Sequence, residues 1–205
     1  MPSEPQLPAE PLCLVFGDED FLVRDRAKQI YEGWCAAAGG MDHEVVDGTV
    51  RNADEALQAL AKLNEALQTL PFFGGNKVLW LRGANFLGDD RTASSAAVTD
   101  RLTELAKSWE LFDWQGVQLL ISAGKVDKRK SFFKTVKKFA AMEDKTVSEK
   151  ERGGRAAMVV RQRLDELGKK ISPHVADELI LLAGANLQQL HTEADKLSAC
   201  RAACI

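Results

Sequence analysis

Three stretches of this chain carry residues with chemical potential. They are an acidic turn, Gly17-Asp18-Glu19-Asp20, a basic run from Lys125 to Lys138, and a corner, Leu70-Pro71-Phe72-Phe73-Gly74-Gly75. The acidic turn follows the apolar run Leu12-Cys13-Leu14-Val15-Phe16 and precedes a segment with Leu22, Val23, Ala27, Ile30, Tyr31 and Trp34 at helical spacing. Strand, glycine turn and helix is the layout of a phosphate cradle. That cradle requires glycine, four residues, then Gly-Lys-Ser or Gly-Lys-Thr. Here the four residues after Gly17 lead to Leu22-Val23-Arg24, so the second glycine, the lysine and the magnesium-binding hydroxyl are all missing. Asp18, Glu19 and Asp20 place carboxylates at a helix N terminus, where they suit the helix dipole and repel phosphate. The apolar run Val117 to Ile121 ends in Ser122-Ala123-Gly124, without the acidic pair that would hold magnesium and orient water. No ATP site is expected.

The basic run comprises Lys125, Lys128, Arg129, Lys130, Lys134, Lys137 and Lys138, with Asp127 as its one acid. It reads either as a solvated helix face or as a contact with a nucleic-acid backbone, which needs clustered cations and little else. Phe132, Phe133, Val136 and Phe139 follow a buried helical face, so no base-stacking platform is indicated. His43, His174 and His191 are isolated from one another and from any nucleophile motif. Cys13, Cys35, Cys200 and Cys204 lack the spacing and companions of a metal site, and no metal or cofactor is expected.

At the corner, Pro71 cannot continue a helix interior and Gly74-Gly75 permit a sharp reversal. Phe72 and Phe73 have two destinations: the core between helix and strand, or a plug for another protein's pocket.

The elements that position these stretches alternate. After the first strand and helix come a strand at His43 to Val46 and a helix opened by Asn52 with Glu55 three residues on, a capping-box pattern. Leu57, Leu60, Leu63 and Leu67 carry that helix to the corner, and Lys77 to Leu81 form the third strand. Gly88 to Ala97 reads as a mobile loop, Asp100 to Trp109 as a helix, Val117 to Ile121 as the fourth strand, and Ser131 to Ala141 as an amphipathic helix. This is the pattern of a parallel sheet with helices on both faces. Beyond Glu143 no strand is expected. Three helices follow: Arg155 to Leu167, one opened by Ser172-Pro173 and ended by Gly184, and one capped by Asn186, with Asp144 to Arg155 as the charged linker. The expected division is a flexible leader over 1–10, an α/β domain over 11–144 and a helical domain over 145–205.

With 205 residues the chain can bury a sizeable core, and its apolar and charged fractions are ordinary for a globular protein. A net charge of −3 gives no overall attraction to nucleic acid. No apolar run approaches membrane-spanning length, the leader lacks the features of a signal peptide, and a reducing cytoplasm is the expected location.

Several segments, in order, resemble the delta subunit of bacterial DNA polymerase III, the clamp-loader wrench. They are Leu14 to Val23, Leu70-Pro71-Phe72-Phe73-Gly74 with Lys77-Val78-Leu79, and Leu119 to Ala123 with Lys125 to Arg129. Ile171-Ser172-Pro173 and Ala183 to Leu187 through Glu193 to Leu197 complete the likeness. The resemblance implies an AAA+-like α/β domain that has lost nucleotide binding, followed by a helical lid. It implies a non-catalytic subunit of a DNA-directed DNA polymerase holoenzyme, a nucleotidyltransferase complex. It also implies that Phe72 and Phe73, with Leu70 and Pro71 shaping the turn, insert into the sliding clamp (the beta subunit) and help open it for loading onto primed DNA. Phe72 departs from the family, many of whose members place leucine there. The implied partners are the clamp, the gamma/tau and delta prime subunits and primer-template DNA, with Lys125, Lys128, Arg129, Lys130 and Lys134 as candidate backbone contacts. Where active ATPases carry a sensing arginine in the lid, this chain has Leu187, Gln188 and Gln189. Delta subunits continue into a helical collar, so a chain stopping at Ile205 is expected to be truncated before it. The alternatives are an active AAA+ ATPase with an unusual phosphate site and a DNA-binding module built on the lysine cluster.

Overall fold

The computed structural model describes residues 6–39, 42–69, 75–184 and 186–199, with side chains left out over 149–153. They form two compact units, one over residues 6–146 and one over 147–199.

The first unit is built on five parallel strands in the order β2-β3-β4-β1-β5. These are β1 (Leu12–Phe16), β2 (Glu44–Asp47), β3 (Lys77–Arg82), β4 (Val117–Ala123) and β5 (Ala141–Asp144). β1 is buried along its whole length, as its unbroken apolar sequence requires. Leu12, Leu14 and Phe16 face one layer and Cys13 and Val15 the other, the alternation a strand imposes.

Handedness decides where the helices lie. From β1 the chain crosses to the far edge at β2, then steps back through β3 and β4 and over β1 to β5. Right-handed crossovers therefore put the first helix on one face and those after β2, β3 and β4 on the other. The packing agrees. Val23, Ala27, Ile30 and Trp34 of α1 (Asp20–Ala38) share a core with Cys13, Val15, Val78, Trp80 and Leu120. On the opposite face, α2 (Ala53–Gln68), α3 (Ala96–Glu110) and α4 (Ser131–Val136) pack on Leu12, Leu14, Leu79, Leu119 and Ile121.

Three sequence expectations are corrected. The helix expected over Ser131 to Ala141 stops at Val136, and Ala141 to Asp144 form a fifth strand instead. Nothing local marks that strand. It exists because β1 offers a free edge, pairing Cys13 with Ala141 and Phe16 with Asp144. The segment Gly88 to Ala97, expected to be mobile, is ordered by turns around the fully buried Ala93. Asp90 Oδ1 accepts from Ala93 N at 2.7 Å, and the Lys130 ammonium donates to the carbonyls of Gly88 (2.7 Å) and Ala93 (2.6 Å). The charged linker is also shorter than expected, since β5 ends at Asp144 and α5 (Glu149–Glu166) begins five residues later.

The second unit comprises α5, α6 (Pro173–Ala183) and α7 (Leu187–Ala199). Ala156, Val159, Val160, Leu164, Ala176, Leu187, Leu190 and Ala194 are buried within these helices. Arg163 of α5 donates to Asp195 of α7 at 2.6 Å. Ser172 Oγ caps α6 from Val175 N, Pro173 takes its first turn, and Asn186 Oδ1 caps α7 from Gln189 N at 2.9 Å.

The start of α2 follows the expected capping pattern with one variation. Asn52 Oδ1 accepts from Glu55 N at 2.9 Å, while the Glu55 carboxylate reaches back to Arg51 N at 2.8 Å, one residue beyond the usual box. Because α2 leads into the phenylalanine corner, its entry is worth testing. Asn52→Ala is expected to lower the unfolding free energy by about 1 kcal/mol, read as a lower urea midpoint at unchanged slope.

Candidate functional site

Parallel strands place the turn after β1 at the carboxyl end of the sheet, where open α/β sheets receive ligands. In this chain that turn is packed shut. The Phe16 carbonyl accepts from Lys145 N at 2.6 Å, and Gly17 N donates to the Gly124 carbonyl at 3.2 Å. A Cβ at Gly17 would run into the Lys145 carbonyl carbon and lie 2.7 Å from Thr146 N, so only glycine fits. An amide that a cradle would aim at phosphate is thus bonded within the fold.

Charged side chains close the same end of the sheet. Arg26 of α1 forks onto the Glu143 carboxylate at 2.8 and 2.7 Å and donates to the Gln6 carbonyl at 2.7 Å. Lys145 reaches Glu143 at 2.8 Å. Burial pushes the Glu143 carboxyl up, but its hydrogen bonds to Arg26 and Lys145 outweigh that and hold it below the usual carboxylate range. Asp144 behaves alike: burial opposes ionisation, while Lys128 at 2.7 Å and the amide and hydroxyl of Thr146 favour it. The Lys128 ammonium also sits 5.3 Å above the Phe16 ring.

These contacts bear on the basic run. Lys125 lies 3.7 Å from Asp89, Lys128 pairs with Asp144, Arg129 pairs with Asp127 at 2.9 Å, and Lys130 serves the two carbonyls already named. The Arg129 side-chain hydrogen bond lowers the Asp127 pKa to about 2. Lys125, Lys128 and Arg129 line a recess of about 290 Å³ together with Asp89, Asp127 and Val126. Lys134 and Lys137 are exposed and form no ion pair among the described residues. The structure therefore gathers three of the five expected cations around one recess and gives four of the five internal partners.

Lys77, which opens β3, lies at the opposite, amino end of that strand. The corner residues Leu70, Pro71, Phe72, Phe73 and Gly74 fall outside the described residues, and only their flanks are described. On one side, α2 ends with Thr69 N and Oγ1 both donating to the Glu65 carbonyl, at 3.0 and 2.8 Å. On the other, Lys77 N donates to the Gly116 carbonyl at 2.7 Å, which registers β3 against β4. Lys77 shows only 6% exposure, and its ammonium donates to the Ala66 carbonyl in the last turn of α2 at 2.8 Å. Sequence reading placed Lys77 as the first residue of a strand and missed this role. The signal available was a lysine on the inward-facing alternation of Lys77, Leu79 and Leu81.

The remaining candidates have structural partners. His43 Nδ1 accepts from Val78 N at 3.3 Å, and His191 lies 3.6 Å from Asp195 within α7. His174 sits in the first turn of α6 and is exposed. Ser122 Oγ, at the end of β4, accepts from Trp80 Nε1 at 2.9 Å and Gly83 N at 3.1 Å. Cys13 is fully buried, and burial raises its thiol pKa to about 12. Cys200 and Cys204 lie outside the described residues. No helix among the described residues is long and apolar enough to cross a membrane.

A parallel sheet in this order, with β1 between β4 and β5 and three helices following it, defines an AAA+-like domain with a helical appendage. Within that class the chain belongs to the family of the DNA polymerase III delta subunit, whose pattern its residues 14–146 match. Among solved structures it is similar to the Bacillus subtilis DNA clamp loader delta protein (YqeN), at 22% identity and a TM-score of 0.59. That match covers 92% of this chain and 52% of the other, so the chain spans about half the length of that protein. It is also similar to domain III of the Thermotoga maritima replication initiation protein DnaA, with 15% identity, 92% and 75% coverage and a TM-score of 0.49. A DnaA bound to AMPPCP and single-stranded DNA gives 12% identity, 92% and 55% coverage and a TM-score of 0.46. No curated protein matches.

The Arg26–Glu143–Lys145 cluster gives a pH prediction. Because the folded Glu143 carboxyl is held below its unfolded value of about 4.3, it stabilises the fold above that pH. The contribution is lost as pH falls through the folded value. Glu143→Gln is expected to cost about 1–3 kcal/mol at pH 7. It should also flatten the decline in stability below about pH 5, measured by denaturant unfolding across that range.

Proposed function

We propose that this chain is the clamp-engaging part of a clamp-loader delta subunit. It binds the sliding clamp through Leu70, Pro71, Phe72 and Phe73 and stabilises the opened ring more than the closed one. A ligand shifts an equilibrium only by its differential affinity for the two states, and two aromatic plugs on a fixed corner can supply that difference. The observation that carries this reading is membership of the delta family over residues 14–146, a span that contains the corner.

The reading makes the chain non-catalytic, with ATP hydrolysis left to partner subunits such as gamma/tau beside delta prime, in a cytoplasmic replication complex. Support comes from the turn after β1. Gly17 N is bonded to Gly124, the Gly17 Cα is packed on Lys145 and Thr146, and neither lysine nor hydroxyl stands at the helix start. The α/β domain over 11–144 would present the corner, and the helices over 145–205 would be the lid. Contact between the basic run and primer-template DNA carries less weight, because Lys125, Lys128, Arg129 and Lys130 already have partners within the chain.

The test is clamp binding by surface plasmon resonance. The chain is expected to bind its cognate clamp saturably. Phe72→Ala with Phe73→Ala should weaken binding by about 30-fold or more, the effect of losing at least one hot-spot side chain. Unchanged affinity in the double variant would overturn the reading. A fluorescent-nucleotide titration is expected to show no saturable binding, and a clear isotherm would instead favour an ATPase.

A further inference from the structure

Five strands span roughly 19 Å and a helix is about 10–12 Å wide, so one helix cannot cover a whole face of this sheet. Among the described helices of the first unit, α1 alone lies on its face, and its core partners come from β1, β3 and β4. The two edges fare differently. At one, Val45 of β2, which pairs with Trp80, is 40% exposed. At the other, Ala141 of β5 is packed against the α1 core, and so is Leu7, from the segment ahead of β1.

That segment, Gln6 to Pro11, is fastened at three points. The Arg26 guanidinium, while forked on Glu143, donates to the Gln6 carbonyl at 2.7 Å. The Pro11 carbonyl accepts from Leu119 N at 2.8 Å. Between them Leu7 seats on Gly33, where an added Cβ would lie 2.6 Å from a Leu7 methyl carbon. Gly33 stands inside a 19-residue helix with no positive φ to call for it, a position at which glycine costs stability relative to alanine. Leu7 fills the notch that the missing side chain leaves. Arg26 and Gly33 are seven residues apart on α1 and so share one side of it. The segment is also stiff by sequence. Pro8 and Pro11 have fixed φ, and Leu7 and Glu10, each preceding a proline, are held to extended backbone.

We propose that Gln6–Pro11 is a strap, held by Leu7 in the Gly33 notch and by the Gln6 carbonyl on Arg26, that fixes the edge strand β5 to α1. Its stiffness lowers the entropy lost on docking. Gln6 to Glu10 line a recess of about 400 Å³ with Arg26 and with Ala141, Met142 and Glu143 of β5. One guanidinium thus holds the strap and β5 together. β5 has four residues and a partner strand on one side only, so it is a segment suited to local opening. The chain leaving β5 also brings Lys145 and Thr146 against Gly17, so a closed strap keeps the turn after β1 shut.

The test is a double-mutant cycle in the full chain, read by denaturant unfolding and by amide hydrogen exchange. Leu7→Ser empties the notch and is expected to lower the folding constant about tenfold, the scale of a partly buried leucine. Exchange of the β5 amides should quicken by the same factor, because the strap is lost in the opening that frees β5. In the Leu7→Ser background, Gly33→Leu should raise the folding constant about threefold or more, the ordinary gain of replacing a helical glycine. With Leu7 in place the same change should lower it, because the new side chain takes the space of Leu7 and expels it. A gain of equal size in both backgrounds, or β5 exchange unchanged by Leu7→Ser, would overturn the proposal. If Leu7→Ser does not fold, the cycle run with Leu7→Ala decides by the same two criteria.

Discussion

The first unit depends on the complete enclosure of β1. Its first four residues are fully buried, both its edges are paired, and each face is covered by a different helical layer. A strand so enclosed must be apolar throughout, and here it is parallel to both neighbours and hands the chain to α1 at its carboxyl end. The position of α1, the reversal of direction at β2 and the capture of β5 all follow from it. So does the crowding at Gly17, since β4 and β5 bring Gly124 and Lys145 against the exit of the same strand.

The two ends of the sheet are consequently unlike. The carboxyl end is filled by backbone contacts and by paired charges: Arg26 with Glu143, Lys128 with Asp144, Arg129 with Asp127. Side chains engaged in this way gain little by meeting a new ligand, because each must first give up a partner. The amino end carries the connection from α2 to β3, and there Lys77 holds the flanks while Gly116, with φ of 71°, lets β4 begin close beside Asn76. A fold of this class ordinarily does its chemistry at the carboxyl end. In this chain that end holds the domain together.

What could be read from the sequence was what periodicity and composition encode. The unbroken run Leu12 to Phe16 announced a buried strand, and the leucine spacing of α2 announced its inward face. Ala141 to Asp144 could not be read so. A four-residue strand with no alternation is specified by the edge it joins, a tertiary property outside any local window. Gly88 to Ala97 misled for a related reason. Its small polar residues signal a loop, but its order comes from an ammonium more than thirty residues away. The basic run was legible as a cluster of charge, whereas its pairing was not, because Asp89 and Asp144 come from other parts of the chain.

The setting of β3 has a mechanical consequence. This strand is interior, hydrogen-bonded to β2 on one side and β4 on the other, and it begins a few residues after the corner. A pull on the corner along the strand axis would load both ladders in shear, so that many hydrogen bonds resist together. The same pull on an edge strand from the side would open its bonds one after another. On its other flank the corner is joined to a 16-residue helix whose inner face is packed along its length. The two flanking elements are thus stiff for different reasons, one through its paired ladders and the other through its packed face.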